Sequence, residues 1–349
     1  EWLALRWDLG SSTPEAAQET AEALHDRIEQ TFSDWMLAHF GSLYNLSFVH
    51  SPVMVHHIPH HMAHYFTPTG AGAAGGGPPK RYALIVVDGL ALDQWVVVRD
   101  AITEQLGGKG RVEEDAAFAW VPTLTSVSRQ SIFAGEMPIY FEKSIGSTHK
   151  EKALWTKFWE EHGAKQKEVG YVKQGNQESE ESFLQKVRAV SEHPATRVLG
   201  IVDGTVDHAM HGMGTGSSGL HSVVRDWAQN GAFARLLQTL LDDRYEIIIT
   251  ADHGNITGHG TGKPSVGEIA NERGERAHVF PDELTREKVL GEFPDSLAWP
   301  TIGLPESYNA LLAQGRGAFI RKNTTAVGHG GIAMEEVIVP FVKITGVAE

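Results

Sequence analysis

The sequence predicts an α/β protein: a mostly parallel sheet with helices on both faces, preceded by a helical extension. Three observations carry this. The run Ile247-Ile248-Ile249-Thr250-Ala251-Asp252-His253-Gly254 is apolar and then ends in a carboxylate, an imidazole and a glycine, as a strand buried on both faces would. The same pattern recurs at Tyr82 to Asp88 and at Arg197 to Asp207. Helical periodicity fills the stretches between them, and such alternation implies parallel strands whose carboxyl ends carry the ligands.

Composition narrows the chemistry. A chain of 349 residues with 41% hydrophobic content is globular and long enough for one large α/β core or two domains. The absence of cysteine excludes disulfides, thiolate-held zinc, iron–sulfur clusters and thiol nucleophiles, and fits a cytoplasmic location. Any metal must therefore sit on Asp, Glu, His and hydroxyl oxygens. A formal charge of −14 opposes a surface that grips nucleic-acid backbone unaided. No stretch reads as a membrane span or a signal peptide. The chain begins at Glu1 in mid-pattern, as a piece of a longer protein would.

In order along the chain, Thr13 is a candidate N-cap for a helix whose apolar positions Ala23, Leu24, Ile28, Phe32, Trp35, Met36 and Phe40 recur at helical spacing. His56 to His64 holds five histidines, read chiefly as packing or surface groups and only secondarily as metal ligands. Gly70 to Pro79 is a Gly-rich linker, so residues 1–79 form a helical N-terminal segment and 80–349 the core. Strands are expected at Ala83–Val87, Ala117–Val121 and Val198–Val202. Helices are expected at Asp93–Gln105, Ser126–Ala134, around Trp155–His162, at Glu178–Val190 and, as one long element, at Ser222–Leu241. Residues 255–325 are rich in Gly, Pro and charge and are expected to form a lid or insertion. Glu335 to Ile344 supplies a last strand.

The candidate site residues lie at these strand ends. Asp88 follows the first strand, and Asp252 and His253 follow the central one. Thr125, in Pro122-Thr123-Leu124-Thr125-Ser126, opens a helix whose N-terminus suits a phosphate; its alcohol becomes a nucleophile only when a base or a metal takes its proton. Arg129, one turn on, is placed to clamp a phosphoryl oxygen. Asp207 and His211 share a helical face, with His208 pointing away and Asp203 capping or orienting the loop. His329, in Gly328-His329-Gly330-Gly331, offers a third imidazole. Two cations a few ångströms apart are a recurring solution for in-line phosphoryl displacement, and this donor set suits Zn²⁺ ahead of Mn²⁺ or Mg²⁺.

The ordered series Val-Asp-Gly, Pro-Thr-Leu-Thr, Asp-His-Ala-Met-His-Gly, Thr-Ala-Asp-His-Gly and Gly-His-Gly-Gly resembles the alkaline phosphatase superfamily. Leu84 to Gly89 with Asp93-Gln94-Trp95, the Ser128-Arg129 pair and Glu335 to Pro340 resemble its PglZ branch, the domain of BREX phage-defence systems. The resemblance spans Lys80 to Ile344. It implies one metal held by Asp88, Thr125, Asp252 and His253, and a second by Asp207, His211 and His329. Thr125 is then the nucleophile, with Ser126 as fallback. Where some diesterase relatives place an asparagine, this chain has Ser128, so the contacts to the non-bridging oxygens are not carried over.

The expected function is a phosphodiesterase acting on a phosphodiester such as nucleic acid or a nucleotide, in company with other BREX proteins: Thr125 attacks phosphorus in line and the phospho-threonine is then hydrolysed. A phosphomonoesterase, mutase or sulfatase is the alternative within the architecture. A scaffold subunit of a BREX complex, using its metals structurally, is the alternative outside it. A nucleic-acid-binding module is the weakest, given the charge.

Overall fold

In the computed structural model, which describes residues 15–66, 80–212, 216–265, 268–269 and 275–347 (without the side chains of 15–22, 211–212, 216–218 and 268–269), the chain opens with helix α1 (Glu15–Leu43) and the short α2 (His57–His64). The expected alternation follows: β1 (Arg81–Val87), α3 (Leu92–Leu106), β2 (Gly110–Phe118), α4 (Thr125–Ala134), α5 (Glu151–Glu161), β3 (Val169–Lys173), α6 (Glu180–Ser191), β4 (Val198–Asp203), α7 (Thr205–Gly212), α8 (Gly216–Gln229), α9 (Ala232–Asp242) and β5 (Tyr245–Thr250). Beyond them lie β6 (Ile256–Gly260), β7 (Glu268–Ile269), β8 (Ala277–Phe280), α10 (Glu283–Glu292), β9 (Ser296–Ala298), β10 (Asn309–Ala313), β11 (Gly317–Ala318), β12 (Thr325–Gly328), α11 (Met334–Val337) and β13 (Ile338–Gly346). The predicted cap Thr13 and the Gly-rich stretch 70–79 fall outside the described residues.

The main sheet has six strands in the order β2-β13-β5-β1-β4-β3. β1 pairs parallel with β4 and β5, and β3 parallel with β4; β13 runs antiparallel to both its neighbours. The Ile and Val side chains of β1, β4 and β5 are buried, as both faces are covered by helices.

Three elements differ from the expectation, the simplest being the last strand, which was expected from Glu335 and begins at Ile338 because Met334–Val337 form a helical turn. The strand expected at Ala117–Val121 runs instead from Gly110 to Phe118, because it is an edge strand zipped along β13, from Ile338↔Phe118 to Gly346↔Gly110. Glu113, Glu114 and Asp115 in its middle are exposed, so the apolar reading missed most of it. The long helix expected at Ser222–Leu241 is two. Asn230 and Gly231 break it: Gly231 takes φ +78°, and Asn230 Oδ1 accepts the N–H of Ala232 at 2.8 Å to start α9. Between 255 and 325 the structure has a four-stranded sheet β7-β8-β10-β9, a three-stranded sheet β11-β6-β12 and α10. Strands of two to five residues are too short to show periodicity.

α1 is bound to the core at two levels. Met36, Phe40 and Leu43 are buried, and the Phe40 ring meets Trp120 and Trp299 edge-on with centroids 5.9 and 5.4 Å away. Each such side chain contributes about 1.5–3 kcal/mol on burial. Further up the helix, Glu29 Oε1 accepts the N–H of Met334 at 3.2 Å, and His25 lies 3.8 Å from Glu335 beside Arg316. The histidine run packs rather than converges: His57 sits between Met54 N and Tyr44 O, His60 on Gly135 O and His61 on Phe48 O.

Burial and the neighbouring Glu335 push the Glu29 carboxyl up to about 8. The folded state therefore holds a proton there that the unfolded chain releases near its ordinary value of 4.5. Stability from this group is complete below that value and is lost as pH rises toward 8. Glu29→Gln, which cannot ionise, is expected to raise the melting temperature at pH 9 by about 2 °C or more and to change it little at pH 5. Thermal melts at the two pH values check this; a larger gain at pH 5 contradicts it.

Candidate metal centre

The register of β1 on β5 pairs Arg81 with Tyr245 and Val86 with Thr250. Carried two residues past the Val86–Thr250 pair, it sets Asp88 beside Asp252. Both are buried, at 7% and 0% exposure. Asp252 Oδ1 accepts the N–H of Gly89 at 3.1 Å and of His253 at 3.2 Å, while its Oδ2 and Asp88 Oδ1 have no hydrogen-bond donor among the described residues. Two carboxylates buried this close cannot both carry charge at no cost. Burial and Asp88 together push the Asp252 carboxyl well above the usual range. Burial would raise Asp88 too, but Arg129 and His253 outweigh it and hold it at about 2.

Two imidazoles complete the cluster. His253 Nδ1 lies 3.0 Å from the Gly254 carbonyl, which can only accept, so the proton is on Nδ1 and Nε2 carries the lone pair. That Nε2 accepts the Thr125 hydroxyl at 2.9 Å and stands 3.7 Å from Asp252 Oδ2 and 3.9 Å from Asp88 Oδ1. His329 is fixed the same way: Nδ1 donates to Thr123 O at 2.8 Å, leaving Nε2 unpartnered. The two rings stack with centroids 3.8 Å apart. Burial, and for His329 the adjacent His253, depress both rings, His329 to about 3, so both are neutral and able to ligate.

Thr125 is the first residue of α4, where backbone N–H groups lack helical acceptors. Asp207 lies on α7, its Cα 3.9 Å from the point where a Gly89 Cβ would stand, and its charge bears on both His253 and His329. The His211 side chain falls outside the described residues. His208 turns away to Asn176, and Asp203 Oδ1 accepts the N–H of Thr205 at the start of α7. Arg129 is buried against carboxylates: Nη1 donates to Asp88 Oδ2 and Nε to Glu151 Oε1 at 2.6 Å, with Asp252 Oδ2 at 3.7 Å. These carboxylate contacts were not part of the expectation for Arg129.

Sequence reasoning missed the residues that brace these ligands. Thr123 Oγ1 accepts the N–H of Gly330 and donates to Gly331 O, both at 2.9 Å, which shapes the His329 turn. Glu336 holds the same turn through the N–H groups of Gly331 and Ala333, and its carbonyl accepts the N–H of Gly254 at 2.9 Å. Both lie inside quoted motifs, so their neighbourhood was a signal. Glu151, in the run Lys150-Glu151-Lys152, offered none.

The donor set fits a divalent cation. One ligand atom from each of Asp88, Asp252 and His253 lies within 4.8 Å of the others. Orphaned buried oxygens and an imidazole locked in its ligating tautomer by a backbone carbonyl are what such a site needs and a plain core avoids. His25, Glu29 and Glu335 form another such group among the described residues; the His56–His64 run forms none.

Comparison with known proteins bears on the family and the fold. The family model described as "BREX system PglZ alkaline phosphatase-like domain" matches residues 75–344. No curated protein sequence matches the chain. Among solved structures, murine ectonucleotide pyrophosphatase/phosphodiesterase 5 superposes with a TM-score of 0.57 at 12% identity, covering 76% of this chain and 88% of that one. An inactive variant of the same enzyme in complex with AMP gives 0.56 at 12% identity, covering 76% and 87%. Phosphonoacetate hydrolase from Sinorhizobium meliloti, bound to phosphonoformate, gives 0.46 at 13% identity, covering 76% and 89%. These likenesses concern the fold.

A Cβ on Gly254 would stand 1.9 Å from the Glu335 carbonyl oxygen and 2.9 Å from Ala91 Cα, both backbone atoms that cannot swing aside. Gly254→Ala is therefore expected to cost about 1–3 kcal/mol and to push His253 off its place. The expected readings are a lowered melting temperature and weaker Zn²⁺ uptake; wild-type values of both contradict the packing argument.

Proposed function

The chain belongs to the PglZ family of BREX alkaline phosphatase-like domains, and from that premise we propose that it is a metal-dependent phosphodiesterase of phage defence whose nucleophile is Thr125. The observation that carries the reading is the Thr125 hydroxyl, 2.9 Å from His253 Nε2 and next to two carboxylates with unpartnered oxygens. A buried alcohol needs one hydrogen-bond partner, but an ordinary core would not leave carboxylate oxygens beside it without donors.

Asp88, Thr125, Asp252 and His253 would hold one cation, and Asp207, His211 and His329 the other. Bound there, divalent cations supply positive charge that acidifies the threonine hydroxyl and neutralises the oxygens of the transferring phosphoryl group. The protein's own groups do the rest. The N-terminal end of α4 presents its N–H groups and the positive end of its dipole to a phosphate. The start of α4 and His253 Nε2, 2.9 Å from Thr125 Oγ1, fix where that hydroxyl sits. As the Thr125 oxygen–phosphorus bond forms, the bond to the leaving alcohol breaks; the hydroxyl proton is lost from Thr125 and the departing oxygen takes one from water. A water molecule then cleaves the phospho-threonine and restores the alcohol.

The fold supports a diester substrate by analogy, since the murine neighbour is a phosphodiesterase by name and one of its structures holds AMP. Nucleic acid or a nucleotide is the corresponding substrate class here, and other BREX proteins are the partners the family implies. No helix among the described residues is long and apolar enough to cross a membrane.

Thr125→Ala is expected to lower cleavage of bis(p-nitrophenyl) phosphate by about 10³-fold or more while the protein stays folded. Matching assays with p-nitrophenyl phosphate and p-nitrophenyl sulfate should show slower turnover than the diester. Undiminished diesterase activity in the variant contradicts the nucleophile; faster monoester or sulfate turnover contradicts the substrate class.

A further inference from the structure

Behind the cation ligands lies a buried ion chain that the chemistry above does not use. Arg129 and Glu151 are 2% and 1% exposed. The guanidinium bridges them to the site: Nε to Glu151 Oε1 at 2.6 Å on one side, Nη1 to Asp88 Oδ2 on the other. Glu151 is itself fixed from β3, with its Oε2 accepting the Tyr171 hydroxyl at 2.8 Å and lying 3.7 Å from Lys173 Nζ. A guanidinium is always charged, so Arg129 and a divalent cation draw on the same carboxylates from opposite sides. Arg129 engages Asp88 Oδ2 and leaves Oδ1 unpartnered. Glu151 takes up part of the guanidinium's charge and holds it back from Asp252, 3.7 Å away.

We infer that Glu151, acting through Arg129, is a positioning residue that sets how tightly the pocket of Asp88, Asp252 and His253 holds its divalent cation. The inference rests on the metal-centre reading above and extends it to residues outside the ligand set. Without Glu151, the whole charge of Arg129 falls on Asp88 and Asp252, and the cation is held more weakly. Without Arg129, no fixed positive charge competes for the carboxylates, and the cation is held more tightly. A purely structural role predicts losses in both cases, since either single change strands a buried charge.

The test is Zn²⁺ affinity, measured with the metal alone by competition against a chromogenic chelator, for the wild type, Glu151→Gln, Arg129→Gln and the double variant. Expected are a loss of about tenfold or more for Glu151→Gln and a gain of about tenfold for Arg129→Gln. The double variant, which strands neither charge, should resemble Arg129→Gln within about threefold; it keeps the question decidable if Glu151→Gln does not fold. Weaker binding in Arg129→Gln, or a double variant as weak as Glu151→Gln, overturns the inference. Should the wild type bind Zn²⁺ no better than Asp88→Asn, the inference falls together with the metal centre. The predicted affinity pattern without diester cleavage leaves the inference standing and removes only the proposed reaction.

Discussion

The structure turns on two carboxylates that a parallel register forces together. β1 and β5 lie side by side in the six-stranded sheet, and the pairing that buries Ile85 against Ile249 also delivers Asp88 and Asp252 to the same point. Such burial costs free energy unless positive charge answers it. Arg129 answers part of it from behind, and the unpartnered oxygens in front mark where the rest is wanted. The hydrophobic core thus places the charges, and the charges define what the site can hold.

From that point the supporting structure follows. His253 and His329 are each locked by a backbone carbonyl into the tautomer that leaves Nε2 available. Their stacked rings come from two separate motifs and meet because Thr123 and Glu336 pin the Gly328–Gly331 turn against the start of α4 and the end of β5. α11, which carries Glu336, is in turn gripped by α1 through Glu29. The N-terminal helix and the ligand cluster are therefore joined by a short run of hydrogen bonds, which gives the helix a mechanical connection to the site as well as a share of the core.

Much of this was legible in the sequence, and the reason is physical. Strands buried on both faces must be apolar throughout, so β1, β4 and β5 announce themselves, and residues that follow such runs stand at the sheet's rim. Asp88, Asp252 and His253 were placed by that logic, Thr125 by the start of the helix it opens and His329 by its glycine-rich turn. What escaped were features fixed by partners distant in the chain. The edge strand β2 hides its length because most of its side chains are exposed or half-buried. Asn230-Gly231 stops a helix that periodicity alone would continue. The short strands after Asn255 carry no pattern long enough to read. Glu151 sits between two lysines like any surface residue, and only the packing of α5 against α4 turns it inward to Arg129. Arg129 itself was noticed, but its spacing from Thr125 says nothing about which carboxylates surround it.

The central claim, that the ends of β1 and β5 gather a divalent cation, is tested most directly by anomalous X-ray scattering from a Zn²⁺-soaked crystal measured across the zinc absorption edge. The account predicts a zinc peak about 2.0–2.2 Å from one oxygen each of Asp88 and Asp252 and from His253 Nε2. A peak held elsewhere, or none in this pocket at saturating Zn²⁺, contradicts it.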